Sequence, residues 1–398
     1  MSQPPSNPTQ DLYLPIRTIS PQKESIPRNL SKDILISNGN TMRMALSHDS
    51  HTLVRQEADL LMAVDTATGL TTALQATESG SISALKFISL QCEAQPTATG
   101  HLSVILVDEK GTIFRWIPAQ HALLADHQHT DRPDTAARQA GAVSFTRNAS
   151  ALAFISQEGT LHIYHFRSAG EDADPTAAIT VRHNFSRRPV SKQGIHTMAL
   201  SNSMLALSTT SGTTLWEGVH RDSHAKDGVA DFICRRVLDG QHDENDQRKP
   251  RREPRTLAFS GNGEYLATGC RGDRLGYDPT GSVIEIWNVA PGTLAFQLRA
   301  THQKGVHALV FSTDTLLVSA GHPIGICDDH AMQVWHLDTH TAKLQMQQGD
   351  THTAMRHTSL GRHARITDLV ASERLIIASS ADRTTRLWHV PHAPPKSK

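Results

Sequence analysis

The sequence predicts an all-β fold made of seven repeated units, and three observations support that prediction. Each of the five tryptophans ends a short alternating or β-branched segment that follows a turn, which is the pattern of a β-strand. Similar segments end at Tyr164 and, upstream, at Met62. These anchors recur about every fifty residues, a spacing typical of repeat architectures, while helical periodicity is nearly absent. In chain order the anchors are Met62, Trp116, Tyr164, Trp216, Trp287, Trp335 and Trp388.

Composition and charge narrow the class of protein. The 398-residue chain has 39 basic and 39 acidic residues, so no net field attracts nucleic acid or an anionic membrane. Its four cysteines are scattered without a C-x-x-C pair, which favours a reducing compartment. The polar start of the chain lacks the layout of a signal peptide, and no apolar run approaches the length of a transmembrane helix. We therefore expect an intracellular protein of the cytoplasm, the nucleus or both.

The last unit, GRHARITDLVASERLIIASSADRTTRLW, carries the most complete motif. It resembles the WD-repeat family, whose units have four strands, a His before the first strand, an Asp before the third and a Trp that ends the third. The resemblance covers about residues 40–390 and is strongest in the last third of the chain. It implies a seven-bladed β-propeller of four-stranded antiparallel blades.

The same resemblance implies a buried, hydrogen-bonded tetrad in each of the last two units. An imidazole, a hydroxyl, a carboxylate and an indole N–H can satisfy one another, and each is costly to bury alone. We therefore interpret these residues as structural and not as a catalytic triad. The two tetrads are His302, Ser319, Asp329 and Trp335, and His363, Ser380, Asp382 and Trp388.

The two ends of the chain have to account for the last blade. After Trp388 only HVPHAPPKSK remains, and its adjacent prolines disfavour a fourth strand. An open ring would leave strand edges exposed. We expect an N-terminal strand, from Leu12–Ile19 or Asp33–Ser37, to complete the final blade and close the ring.

These expectations divide the chain into one domain with two tails. Residues 1–10 and 393–398 are expected to be disordered tails, and residues 11–392 to form a single propeller. The expected blades are about 40–77, 78–125, 138–186, 190–239, 252–299, 302–346 and 361–392 plus the N-terminal strand.

Long insertions fall in one part of the propeller. If the strands of a blade are called A to D from the channel outward, Asp239–Arg255 and Gln347–Gly361 are D–A loops, and Arg271–Gly281 and Gly321–Asp328 are B–C loops. Both kinds of loop leave the same face, so these four loops of blades 4 to 7 should lie together, and long loops on a rigid scaffold often carry function. Arginine suits carboxylate and phosphate partners. The candidate partner-binding residues are Arg248, Lys249, Arg251, Arg252, Arg255, Arg271, Arg274 and Lys304.

No motif points to an enzyme, a cofactor or a metal. There is no G-x-S-x-G, no H-E-x-x-H and no phosphate-binding loop. The histidines between His121 and Asp131 lie in a polar segment without evident second-shell support. Because WD-repeat proteins are mostly interaction platforms, the resemblance implies a non-catalytic scaffold, monomeric within a hetero-complex of other proteins.

Two other functions remain open. One alternative is a domain that binds an acidic or phosphorylated peptide. The other is an RNA-associated subunit that binds RNA through Arg248–Arg255 in a salt-dependent way. The segment KPRREPR, Lys249–Arg255, also fits a nuclear import signal. No membrane contact is expected, because none of the double arginines is followed by glycine as in propellers that bind phosphoinositides.

Overall fold

The computed structural model of the chain is all-β, as the repeat pattern predicts. Its strands carry the short alternating and β-branched segments seen in the sequence. Among the described residues the only helix is a single 3-10 turn, Pro118–Gln120. The structure describes residues 15–19, 43–57, 60–76, 87–92, 102–108, 113–120, 122–127, 143–147, 151–155, 160–165, 179–184, 195–209, 212–220, 230–238, 254–270, 282–300, 302, 305–321, 332–337, 352–354, 366–380 and 385–389.

The described strands form seven antiparallel sheets of four strands each. Strand β1 (Pro15–Ile19) belongs to the last sheet. Sheet 1 contains β2 (Arg43–Leu46), β3 (Thr52–Glu57), β4 (Leu60–Asp65) and β5 (Thr71–Ala76). Sheet 2 contains β6 (Phe87–Cys92), β7 (Val104–Asp108), β8 (Ile113–Ile117) and β9 (Ala122–His127). Sheet 3 contains β10 (Val143–Phe145), β11 (Ala151–Ile155), β12 (Thr160–His165) and β13 (Ile179–Asn184).

The second half of the chain follows the same plan. Sheet 4 contains β14 (Ile195–Leu200), β15 (Met204–Thr209), β16 (Gly212–His220) and β17 (Ala230–Leu238). Sheet 5 contains β18 (Pro254–Phe259), β19 (Tyr265–Cys270), β20 (Ser282–Asn288) and β21 (Thr293–Ala300). Sheet 6 contains β22 (Val306–Phe311), β23 (Leu316–Gly321), β24 (Met332–His336) and β25 (His352–Ala354). Sheet 7 contains β26 (Ile366–Ala371), β27 (Leu375–Ser380), β28 (Thr385–His389) and β1.

One row of paired residues recurs across the first three strands of every sheet. In sheet 6, Phe311 pairs with Leu317, and Leu317 pairs with Trp335. The anchors of sheets 2 to 7 all stand third in this row, which explains their regular spacing. In sheets 1 to 5 and in sheet 7 the third residues are Val64, Trp116, Tyr164, Trp216, Trp287 and Trp388.

The anchor predicted for the first unit is wrong by two residues. Val64, not Met62, pairs with Leu53 in the row of sheet 1. The turn that follows gives the same register. The N–H of Gly69 donates to the carbonyl of Asp65, directly after Val64, just as the N–H of Gly292 donates to the carbonyl of Asn288, directly after Trp287. A slip of two residues keeps a side chain on the same face of a strand. Sequence pattern therefore did not separate Met62 from Val64.

The core of the described part of the chain consists of seven apolar clusters, each shared by two consecutive sheets. Six of them join sheets 1 to 7 in order. The seventh joins sheet 7 to sheet 1, where Leu375, Ile377 and Leu387 pack with Met44 and Leu53. The first strands of consecutive sheets are also in contact, including β26 with β2. Among the described residues, every sheet thus contributes apolar side chains to two clusters.

The fourth strand of sheet 7 comes from the start of the chain. Strand β1 pairs antiparallel with β28, and its register joins Pro15 to Trp388 and Ile19 to Thr385. Of the two segments expected to supply this strand, the described one lies within 12–19, and residues 33–37 lie outside the described residues. Across the described part of the chain, no helix has the length and apolar character needed to cross a membrane.

Candidate protein-docking site

The two ends of each sheet differ in the connections they carry. In sheets 1 and 4 to 7 a short described turn joins the first strand to the second, and because the two strands are antiparallel, the first strand begins where the second one ends. In sheet 5, Pro254 at the start of β18 pairs with Cys270 at the end of β19. We call this end of a sheet the loop end, and the end with the turn between the first two strands the turn end.

Near the loop end, the first strands of sheets 4 to 7 have a one-residue β-bulge at the same place. The extra residues are His196, Arg255, His307 and Thr367, and all four are partly exposed. Sheet 2 has the same bulge at the apolar Ile88. Bulges re-aim a side chain and are common beside functional sites. Four consecutive sheets therefore present a polar side chain at one level of the loop end.

Two of these bulge residues are hydrogen-bonded across neighbouring sheets. Nη1 of Arg255 lies 2.6 Å from Nδ1 of His196. Because a guanidinium only donates, Nδ1 is the acceptor and the neutral ring carries its proton on Nε2. The ring of His196 therefore fixes the position of the Arg255 guanidinium.

A buried carboxylate lies in the next residue of the bulged strand in sheet 7. Oδ2 of Asp368 accepts the N–H of Met44 at 2.7 Å, which links β26 to β2. Burial raises the pKa of Asp368 to about 6, while the charge of Arg43 and the N–H groups of Met44 and Leu369 act to lower it. The residue as a whole is half-buried. Sequence inspection did not identify this residue.

Of the eight predicted partner-binding residues, only Arg255 lies among the described residues. The prediction placed it at the end of a D–A loop, whereas it is the second residue of β18. The strand starts earlier because proline is tolerated as the first residue of a strand. The other seven lie outside the described residues: Arg248, Lys249, Arg251, Arg252, Arg271, Arg274 and Lys304.

The structure brings together three members of the tetrad predicted in sheet 6. The indole N–H of Trp335 donates to Oγ of Ser319 at 2.8 Å, and Nε2 of His302 lies 2.9 Å from the same oxygen. All three side chains are buried. The fourth predicted member, Asp329, lies outside the described residues. These contacts lie inside the packed sheet.

In sheet 7 the register does not support Ser380 as the equivalent of Ser319. Ser319 stands two residues beyond the paired row, and in sheet 7 that position is Ala378. Ser380 pairs with Ile366 and so matches Gly321, the last residue of β23. A run of small residues in β27 hides the register from sequence inspection. His363 and Asp382 lie outside the described residues, and Trp388 is buried in the row.

The equivalent position is polar in two further sheets. In sheet 5 it is Thr268, which accepts the indole N–H of Trp287 at 3.4 Å. In sheet 1 it is Arg55, which is 3% exposed and has Nη1 placed 3.1 Å from Oε1 of Glu57. Burial lowers the pKa of Arg55, and the charge of Glu57 acts to raise it.

In sheets 4 and 2 the tryptophan N–H groups do not bond to the residue at this position. In sheet 4 the N–H of Trp216 donates to Thr214 on its own strand at 3.0 Å. In sheet 2 the buried N–H of Trp116 has no hydrogen-bond partner among the described residues, since Leu106 stands where sheet 6 has Ser319. The shared row therefore tolerates different polar partners.

No group of three or more metal-ligating side chains occurs among the described residues. Of the histidine-rich segment between His121 and Asp131, only residues 122–127 are described.

Comparisons with known proteins identify the fold. No family model matches the chain, and no curated protein matches it. Among solved structures 1307 chains match, too many to indicate one function. One is a chain in the crystal structure of the mitotic checkpoint complex, with 15% identity and a TM-score of 0.54 over 98% of this chain and 96% of that chain. With its successive four-stranded sheets, the chain has a β-propeller fold.

Proposed function

We propose that the chain is a closed seven-bladed propeller of the WD-repeat type. Three features support this: the apolar cluster between sheets 7 and 1, the contact of β26 with β2, and the pairing of β1 with β28. A closed propeller leaves only short, protected sheet edges, so it resists edge-to-edge aggregation. The seven first strands would then surround a central channel, with its loop end and its turn end at opposite mouths.

On this scaffold, the proposed function is non-catalytic docking of another protein within a multiprotein complex. The observation that carries the proposal is the repeated bulge of sheets 4 to 7, which sets His196, Arg255, His307 and Thr367 at one level of the loop end. The long insertions of the same four units enter or leave the sheets at that end. Their described flanking residues, Pro254 and Cys270, are paired neighbours.

The expected partner is a protein segment with carboxylate side chains. Arg255 offers a guanidinium held by His196, and a positioned guanidinium forms charge-assisted bonds to carboxylates. Six of the seven further basic residues predicted for this sector, all except Lys304, belong to the insertions that flank these strands. RNA is less suited, because the formal net charge of the chain is zero.

The test starts from the complex isolated from its native source. Mass spectrometry identifies the co-purifying proteins, and each is then produced pure and titrated onto the chain by calorimetry. Replacing Arg255 with Ser should weaken binding about tenfold or more, the usual effect of losing a charge-assisted contact. Arg374→Ser is the matched control, because Arg374 is an exposed arginine in the turn between β26 and β27, at the turn end.

Equal affinity of the wild type and Arg255→Ser would overturn docking at this site. If the chain instead binds purified RNA, with an affinity that falls steeply as the salt concentration rises, the RNA-associated function would replace this proposal.

A further inference from the structure

One arginine joins two sheets that are not neighbours. Nη2 of Arg147 donates to the carbonyl oxygen of Ser312 at 2.8 Å. Arg147 follows β10 of sheet 3 and Ser312 follows β22 of sheet 6, so both residues lie in turns between a first and a second strand. In the order of sheets, sheets 4 and 5 lie between them on one side and sheets 7, 1 and 2 on the other. In a closed ring, the side chain of Arg147 would therefore cross part of the opening that the first strands surround.

The base of this arginine is fixed by its neighbour in the turn. Thr146 is buried, its Oγ1 accepts the N–H of Ala151 at 2.9 Å, and its own N–H donates to the carbonyl of Ala151. The backbone from which the Arg147 side chain leaves is thus held in place, although the side chain itself is exposed.

The receiving turn is tied to the next two sheets. The hydroxyl of Ser312 donates to the carbonyl oxygen of Ser372 in sheet 7. The hydroxyl of Ser50 in sheet 1 donates to the hydroxyl oxygen of Ser372 at 2.6 Å. Asp314 in the same turn accepts the N–H of Asn262 in sheet 5 at 2.8 Å. The turn ends of sheets 5, 6, 7 and 1 are therefore linked in one hydrogen-bonded series, and Arg147 adds sheet 3 to it.

Glycine at position 261 leaves room for this arrangement. A Cβ atom at Gly261 would meet Nη1 of Arg147 and would lie 2.8 Å from Oδ1 of Asp314. The guanidinium thus passes directly over the turn of sheet 5 on its way to sheet 6. A larger residue at this position would require the Arg147 guanidinium or the Asp314 carboxylate to shift.

We propose that Arg147 is a strut across the turn-end mouth of the channel, so that a docking segment enters and leaves through the loop-end mouth alone. The proposal rests on the closed ring and the loop-end docking described above. It narrows the kind of partner: a side chain or loop tip that inserts and returns on one face, and not a chain threaded through the channel.

The strut is tested first without any partner. Arg147→Met keeps most of the apolar stem and removes the donor, and Arg374→Met is the matched control on an exposed arginine. We expect Arg147→Met to lower the melting temperature by about 2 °C. This is the effect expected for the loss of one exposed charge-assisted bond, because a given loss of stability shifts the melting temperature only slightly in a large domain. Hydrogen exchange should quicken at the amides of Ser312 and Leu316 and stay unchanged in sheet 2. Equal exchange and equal melting in the two variants would overturn the strut.

One-sided entry is tested with the partner identified for the docking site. Arg147→Met should bind that partner with the wild-type dissociation constant, since the strut lies at the opposite mouth. A loss of affinity as large as that of Arg255→Ser would place the partner at both mouths and overturn one-sided entry. Because the first test needs no partner, failure of the docking proposal leaves the strut itself open to measurement.

Discussion

The indole N–H of Trp335 donates to the hydroxyl oxygen of Ser319 at 2.8 Å, inside a sheet that is buried on both faces. The same oxygen lies 2.9 Å from Nε2 of His302, so one small side chain serves two buried polar groups. Removing it leaves both without that partner, and an unsatisfied buried donor is costly.

We predict that Ser319→Ala lowers the free energy of unfolding by about 2 kcal/mol, measured by denaturant titration. Ser380→Ala is the control, because the register places Ser380 opposite Ile366 and not in the position of Ser319. If Ser380→Ala cost as much as Ser319→Ala, the register assigned to sheet 7 would be incorrect.

The two tryptophans with different surroundings should respond differently to replacement by phenylalanine. Trp335→Phe breaks the bond to Ser319, whereas Trp116→Phe removes an N–H that has no partner among the described residues. Both changes remove a similar amount of buried apolar surface. Trp335→Phe should therefore cost about 1 kcal/mol more than Trp116→Phe in the same denaturant assay. An equal cost would mean that Trp116 gains a partner from the remaining part of the chain.

The pH dependence of stability should reveal Asp368. Burial raises its pKa to about 6 in the folded chain, above the value of about 3.9 in an unfolded chain. The folded state then binds the proton more tightly, so this group's contribution to stability is fully present below about pH 4 and is lost as the pH rises through about 6. As the pH is lowered from about 7 to about 5, the melting temperature of the wild type should rise relative to that of Asp368→Asn.

The comparison with Asp368→Asn isolates this group from carboxylates that act in the opposite direction. Hydrogen bonds lower the pKa of Asp65, so its contribution is lost as the pH falls. Those effects cancel between the two proteins. A difference in melting temperature that does not change with pH would show that Asp368 titrates normally.

Removal of β1 should destabilise the chain more than removal of the residues before it. Deleting residues 1–19 exposes the edge of β28, to which Pro15, Arg17, Thr18 and Ile19 pair. Deleting residues 1–14 leaves this pairing intact and is the control. We expect a lower melting temperature and concentration-dependent aggregation for the longer deletion only. Identical melting of both deletions would contradict the closing role of β1.

Local pattern determined much of the fold. Tryptophans at the ends of β-branched segments predicted the all-β class and the spacing of the units, because burial between two packed faces selects a large apolar side chain at the same strand position each time. The tetrad residues His302, Ser319 and Trp335 followed from the family resemblance, since their roles depend on short-range spacing within one unit.

Tertiary structure decided what spacing alone could not. A two-residue slip keeps the face of a strand, so only pairing distinguished Val64 from Met62 and Ala378 from Ser380. Three contacts join residues that are far apart in the sequence. Arg255 and His196 are 59 positions apart, Asp368 and Met44 are 324 apart, and Arg147 and Ser312 are 165 apart. Such contacts exist only once the sheets are arranged around one another, because no local propensity records which distant strand will be the neighbour.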